Sequence, residues 1–414
     1  MSEASRLRPG LVMVVVLGAL AVSCGGSGPS TAAPSASAPA TTTAPAPVPA
    51  SFSDMYDQTS HDLDAYASAI SAMPSVGTAT SGQVGWVALL AANGNRQADL
   101  LAPAALISVD QSLDAFVTLG VGGVVLGIKL PLLLPSFTPQ AEQYTQFFAT
   151  VAQHARDRHL QIDVELSAMF CGTIYAECSY TYPTTAAGWG QLTAQQARTV
   201  IDQVRPDYLN LISEPGTEAT LTGIPELGTV AGFRTMVTDA VTAIGAHGDV
   251  KLVAGAASWY PAAWDEAIAD SGIDGFVTHI YPATAGTAAN LIAIADLAHA
   301  AGKPLIADEV WLYKGTVSAQ GGVADSNQQG AINTYSFWEP LDRTFIQATR
   351  QWADKAGVPL TSAFWSVQTL AYNTWTAGLA AEAPAQILLQ GNKAAVAAMS
   401  AGTFTGPGYA LVGR

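Results

Sequence analysis

From residue 52 onward the chain alternates short apolar runs with stretches of helical period, eight times over. The runs fall at 86–91, 121–128, 160–166, 208–212, 251–255, 275–279, 304–309 and 362–366. Between them, apolar side chains recur at helical spacing, as in Tyr144, Phe147, Phe148 and Val151, or Phe233, Met236, Val237 and Ala240. Runs of four to eight residues bounded by turn signals fit strands buried on both faces, and helix-length stretches between them fit crossovers of a parallel sheet. Eight such units predict an α/β fold of the (β/α)8 kind, the TIM-barrel architecture. A doubly wound open sheet is the alternative, but no Gly-rich phosphate fingerprint follows any run, which argues against that fold and against a nucleotide cofactor.

Several helices are expected around these runs. A lead-in spans 52–73, another helix covers 109–119, and one at 193–204 has Thr193 as its N-cap. A polar, Gly-rich loop at 313–336 follows the seventh strand, and a helix at 392–400 closes the chain.

The chain begins differently. Arg6 and Arg8 precede an apolar run at 11–22, too short for a confident membrane span and suited to a signal peptide over residues 1–23. The residues that end it, Leu-Ala-Val-Ser-Cys, resemble the lipobox of bacterial lipoproteins, which implies that Cys24 carries lipid and becomes the new N-terminus. Residues 24–50 are dominated by Ser, Thr, Ala and Pro, a composition that cannot bury a core and reads as a tether. Residues 51–414 then form the barrel domain. Export, with attachment to a membrane only through Cys24, is the expectation. A net charge of −15 disfavours nucleic acid and anionic membrane surfaces as partners. Cys171 and Cys178 are expected to form a local disulfide, since no further Cys or His stands nearby at metal-ligand spacing. No metal or organic cofactor is called for, and the protein is expected to be a monomer.

Two carboxylates end strands. Glu214 closes the fourth run just before Pro215, whose ring removes the N–H that a ladder needs, and Glu309 closes the seventh. In a barrel the carboxyl ends of all strands share one rim, so both side chains can enter one pocket. Cleaving a glycosidic bond with retention needs two carboxyl groups about 5 Å apart, one donating a proton and the other attacking the sugar. Glu165 and Lys129 end the third and second runs and are candidates to line the same pocket. Alternation along the seventh strand points Asp308 away from it, toward the helices.

Four short stretches resemble the clan A glycoside hydrolases, the retaining superfamily that includes many cellulases, mannanases and galactanases. KPLIADEVW, at 303–311, is similar to that family's seventh strand and implies that Glu309 is the nucleophile. ISEPGT, at 212–217, is similar to its fourth strand and implies that Glu214 is the acid/base. GFVTHIYP, at 275–282, implies His279 and Tyr281 near the nucleophile, and AFWS, at 363–366, implies that Trp365 floors a sugar subsite. Trp259, Trp311 and Trp338 follow strands where aromatic faces stack on sugars, with Trp311 favoured as a ligand contact. The family places Asn before its acid/base residue as a ligand of the sugar 2-hydroxyl; here Ser213 stands there and implies a weaker contact, which Asn210 cannot be assumed to replace. Val310 and Trp311 also replace the aromatic residue and Gly that often follow the nucleophile. The resemblance therefore implies a retaining glycosidase acting on a cell-wall or environmental polysaccharide or oligosaccharide. The alternative of another class is a carbohydrate-binding barrel lipoprotein without turnover.

Overall fold

The computed structural model describes residues 46–76, 84–173, 175–314 and 330–414. The signal segment, Cys24 and most of the tether lie outside the described residues, as do residues 315–329 of the long loop. The last tether positions are described: Ala46 and Val48 pack against the core.

Eight parallel strands close into a barrel in sequence order, with the last hydrogen-bonded to the first. They are β1 (Val84–Ala88), β2 (Gly123–Leu130), β3 (Gln161–Ala168), β4 (Tyr208–Asn210), β5 (Lys251–Ala254), β6 (Gly275–Ile280), β7 (Leu305–Val310) and β8 (Leu360–Ala363). Main-chain pairing continues past β4, where Leu211 N–H donates to Val253 O and Gly255 N–H donates to Ile212 O.

The helices that follow are set by ordinary end chemistry. Helix α1 (Ser53–Ala72) is the lead-in, and α2 (Pro103–Leu119) starts on a proline and stops at Gly120, whose φ of 99° suits a residue without Cβ. Helix α3 (Ala141–Asp157) buries Tyr144, Phe147, Phe148 and Val151 as its spacing requires. Helix α4 (Ala186–Thr199) begins seven residues before the expected Thr193. Thr185 is its N-cap and accepts a bond from Gly188 N–H, which leaves Thr193 buried in the helix interior. Pro183, Thr184 and Thr185 look like loop in the sequence; the cap is the signal the expectation overlooked. Then come α5 (Pro215–Thr222), α6 (Val230–Ile244), α7 (Ala263–Glu266) and α8 (Ala285–Ala300). Helix α9 (Glu339–Ala356) turns Phe345 and Trp352 into the core, where a buried side chain of that size contributes roughly 1.5–3 kcal/mol. The helix expected at 392–400 to close the chain is α10 (Pro384–Ala401), which starts earlier, and a further short helix, Gly406–Leu411, follows it.

The barrel interior has two characters. Trp86, Val125, Val253, Val277, Ile306 and Leu360 form an apolar plug, and Gly123 leaves the room for the Trp86 ring, since a Cβ there would stand 2.5 Å from it. Toward the carboxyl ends the buried inward positions turn polar: Lys129, Asp163, Glu165, Asn210, His279 and Asp308.

One irregularity matters for the chemistry. Val277 pairs with Ile306 and His279 with Glu309, so β7 uses three steps where β6 uses two. Against β8 the count is the same, with Ala307 opposite Thr361 and Val310 opposite Ala363. Strand β7 therefore carries one extra residue, a bulge, which breaks strict alternation.

Candidate active site

Glu214 sits at the N-cap position of α5, carried there by the end of β4 and by Pro215 in the first turn. It accepts hydrogen bonds from three side chains. His279 Nδ1 lies 2.7 Å from its Oε1, the Tyr281 hydroxyl donates to the same oxygen, and Thr217 Oγ1 donates to Oε2 across 2.6 Å. Thr217 was not singled out from the sequence, although a hydroxyl three residues into a helix that opens on a carboxylate was the available signal.

Glu309 enters from β7. A carboxylate oxygen of Glu214, one of Glu309 and a ring nitrogen of His279 all lie within 4.8 Å of one another. Trp311 Nε1 donates to Glu309 Oε1 across 3.1 Å, and His279 Nδ1 stands 3.8 Å from Oε2. His279 and Tyr281, expected near Glu309, both bond to Glu214, and His279 also pairs with Glu309 across β6 and β7.

Asp308 departs further from expectation. Counted from Ile306 inside the barrel, alternation faces Asp308 inward and the bulge lets Glu309 face inward after it; Asp308 accepts from Asn210 Nδ2 across 2.6 Å and faces His279 Nε2 at 3.3 Å. Two neighbouring residues of one strand therefore both reach the interior. Ser213 is also committed there. It is 4% exposed, accepts from Asn210 Nδ2 at 3.2 Å and lies 2.8 Å from His279 Nε2, so its hydroxyl faces the barrel rather than the cleft. Lys129 and Glu165 pair at 3.1 Å beside the site.

These contacts fix the charges. Burial pushes the Glu309 carboxyl up to about 8, with Glu214 and Glu165 adding to the effect and His279 and Lys129 opposing it. Burial alone would disfavour a charged His279, but Glu309, Asp308 and the hydrogen bonds to Asp308 and Glu214 outweigh it and hold its pKa well above the ordinary value. Burial and the adjacent Asp308 push Asp163 strongly upward, so it faces Asp308 as a neutral acid. For Glu165 burial also acts upward, but Lys129 and His279 prevail and lower it. The Glu214–His279–Glu309 group is also the set of described side chains able to hold a metal ion, at the expense of the proton that His279 Nδ1 shares with Glu214.

Aromatic rings line one side. Tyr281 lies between Trp259, at 4.7 Å between centroids, and Trp311, at 4.6 Å, and Trp365 meets Trp311 edge-on at 6.1 Å. Trp338 is elsewhere, fully buried against Phe52, Tyr56 and Phe337, and serves packing. The Cys171–Cys178 disulfide is formed, closing the loop after β3.

This sequence matches no protein-family model, and no curated protein matches it. Solved structures do share its barrel. GH5_18 from Bifidobacterium longum subsp. longum ATCC 55813 is 11% identical and aligns over 80% of this chain and 78% of its own, with a TM-score of 0.50. XEG5B, a GH5 xyloglucan-specific beta-1,4-glucanase from a ruminal metagenomic library, is 13% identical over 77% of this chain and 95% of its own, with a TM-score of 0.47. GH5_18 from Streptomyces cattleya, solved with GlcNAc, is 17% identical over 69% and 71%, with a TM-score of 0.44. At 11% identity and a TM-score of 0.50 the likeness to the Bifidobacterium longum protein is one of fold alone, the (β/α)8 barrel.

Proposed function

We propose that the protein is a retaining glycoside hydrolase whose catalytic pair is Glu214 and Glu309. The observation that carries this reading is the approach of the two side chains, with one oxygen of each within 4.8 Å. Retaining enzymes hold their carboxyl groups about 5–5.5 Å apart, whereas inverting enzymes need roughly 6.5–9.5 Å to admit water between carboxylate and sugar. The Trp259–Tyr281–Trp311–Trp365 wall supports a sugar ligand, and the barrel shared with a GH5_18 protein is consistent with it.

In the proposed cycle Glu214 gives its proton to the glycosidic oxygen as the Glu309 carboxylate attacks the anomeric carbon. The C–O bond to the leaving group breaks, and a glycosyl ester forms on Glu309. Water then attacks the same carbon, Glu214 takes its proton, and the ester bond breaks to release Glu309. The substrate is a polysaccharide or oligosaccharide, and Ser213, which faces inward, leaves the 2-hydroxyl to another donor. Export on a signal peptide, with Cys24 lipidated, belongs to the same proposal.

A second reading exchanges the two roles. Burial holds a proton on Glu309 up to about 8, while Glu214 accepts from three side chains. In the proposed order the shared proton must pass to Glu214 when a sugar displaces water; in the exchanged order it already sits on the acid.

The test is a panel of polysaccharides with reducing-sugar detection on the wild type, Glu214→Ala and Glu309→Ala, followed by a panel of 2-deoxy-2-fluoro glycosides with good leaving groups. Peptide mass spectrometry then shows which glutamate carries the trapped sugar. A sugar on Glu309 supports the proposed order, and one on Glu214 supports the exchange. Undiminished turnover in either alanine variant removes the pair altogether. Binding without turnover in the wild type indicates a carbohydrate-binding barrel.

A further inference from the structure

Behind the carboxylate pair lies a second, fully buried polar group that the proposed cycle does not use. Asp308 is 2% exposed and Asp163 and Asn210 are fully buried, yet Asp308 Oδ1, both Asp163 carboxyl oxygens and Asn210 Oδ1 lack hydrogen-bond partners when both acids are treated as charged. A buried carboxylate without partners is costly, so the arrangement needs an opposing charge and a shared proton. Both are within reach. His279 Nε2 stands 3.3 Å from Asp308 Oδ1, and burial beside Asp308 pushes the Asp163 carboxyl strongly upward, so that it can supply the proton the two acids would share. Asn210 fixes the other Asp308 oxygen from β4. On its opposite side the same imidazole meets Glu214 through Nδ1. The ring thus bridges a buried aspartate and a rim glutamate.

We propose that Asp308 is a positioning residue for the reaction: oriented by Asn210 and Asp163, it holds His279 as an imidazolium whose Nδ1–H is aimed at Glu214. This rests on Glu214 and Glu309 being the catalytic pair. Asp308 lies behind the ring rather than in the cleft; it acts by fixing the charge and direction of His279, and through them the orientation of Glu214. The other groups that act on the ring are Glu309 from β7, Glu165 from β3 with its partner Lys129 from β2, Ser213 from the β4 end and Tyr281 on its own strand. Asp308 differs from the rim carboxylates in meeting the ring from inside the barrel. Its charge therefore stays in place when a ligand enters the cleft.

Two measurements test this. The first is nitrogen NMR of histidine-labelled protein across pH, with His279→Gln identifying the His279 signals by their loss. In the wild type His279 is expected to stay doubly protonated where the other histidines have become neutral. In Asp308→Asn its titration is expected to fall by roughly one to three pH units, the usual effect of one adjacent opposite charge. The second is the pH dependence of kcat and KM on whichever substrate the panel identifies. Asp308→Asn is expected to lower kcat about tenfold to a hundredfold, as loss of orientation does, to keep KM within about twofold, and to shift the pH profile. A wild-type His279 that titrates like the other histidines overturns the proposal, and needs no variant to fold. So does an Asp308→Asn protein that is less stable but has the wild-type titration and pH profile, since Asp308 would then be structural alone. If the wild type hydrolyses nothing, the hydrolase reading fails, while the NMR arm still decides whether Asp308 holds the imidazolium.

Discussion

His279 Nδ1 lies 2.7 Å from Glu214 Oε1, a contact between a ring buried in the barrel and a carboxylate at its rim. Because Asp308 meets the other ring nitrogen, removing the imidazole leaves two acids facing each other without a cation. Breaking a buried charge pair by deleting one partner costs about 3–5 kcal/mol. His279→Ala is therefore expected to lose about that much stability in urea denaturation near pH 6. His279→Gln/Asp308→Asn, which removes both charges, is expected to recover much of it, and a strictly additive double variant contradicts the coupling.

The Glu309 carboxyl gives stability its own pH dependence. Its folded value, about 8, is raised above the ordinary 4.5, so the folded protein holds a proton that the unfolded chain has released. The stability contributed is present in full below about 4.5 and is lost as pH rises through 8. Glu218 and Asp265, each pushed by burial up to about 8, act in the same direction. Wild-type protein is thus expected to melt at lower temperature at pH 8.5 than at pH 6. Glu309→Gln is expected to show a smaller drop, with the remainder due to the other groups held upward in the folded protein, Glu218, Asp265, Asp163 and His279 among them. An equal drop in both proteins would remove Glu309 from this account.

Trp311 does two things, and two substitutions separate them. Its Nε1–H bonds to Glu309 across 3.1 Å, and its ring stands 4.6 Å from that of Tyr281. Trp311→Phe keeps an aromatic face but removes the donor. A hydrogen bond to a charged group contributes about 1.5–3 kcal/mol, so kcat/KM is expected to fall about tenfold to a hundredfold, chiefly in kcat. Trp311→Ala is expected to raise KM as well. Equal kinetics in the two variants would mean that the ring face does not bind the sugar.

Removing the Cys171–Cys178 bridge tests the loop after β3. The bridge spans a sequence separation of 7, and closing so short a loop contributes on the order of 2–3 kcal/mol in the chain-entropy account. The Cys171→Ser/Cys178→Ser protein is expected to lose about that amount in reducing-agent-free denaturation. If the two proteins denature at the same urea concentration, the loop is held by its packing alone.

The barrel was legible because buried parallel strands and amphipathic helices leave different periods in the sequence, and each of the eight runs lies within a few residues of a strand. Glu214 and Glu309 were legible for a related reason: a proline after Glu214 and the end of an apolar run at Glu309 both mark strand ends. Asp308 was not, because period-two alternation assumes one residue per step and nothing in LIADEV announces an added one. The bulge is defined only by the steps that β6 and β8 take beside it. The bonds of Ser213 and Asn210 were not legible for the same reason, since their partners, His279 and Asp308, come from other strands. The Thr185 cap was overlooked because Thr193 stood nearer to the apolar stripe.

The extra residue in β7 gives the barrel a dependence between pairing and chemistry. With strict alternation only one of Asp308 and Glu309 would face inward, and β7 would offer the imidazole one carboxylate instead of two. Deleting a residue there changes little in composition and leaves a strand that can still pair with its neighbours. It would nonetheless take away one of the two acids that β7 sets against His279. The hydrogen-bond register of a single strand is thus as much a determinant of acidity here as any side chain it carries.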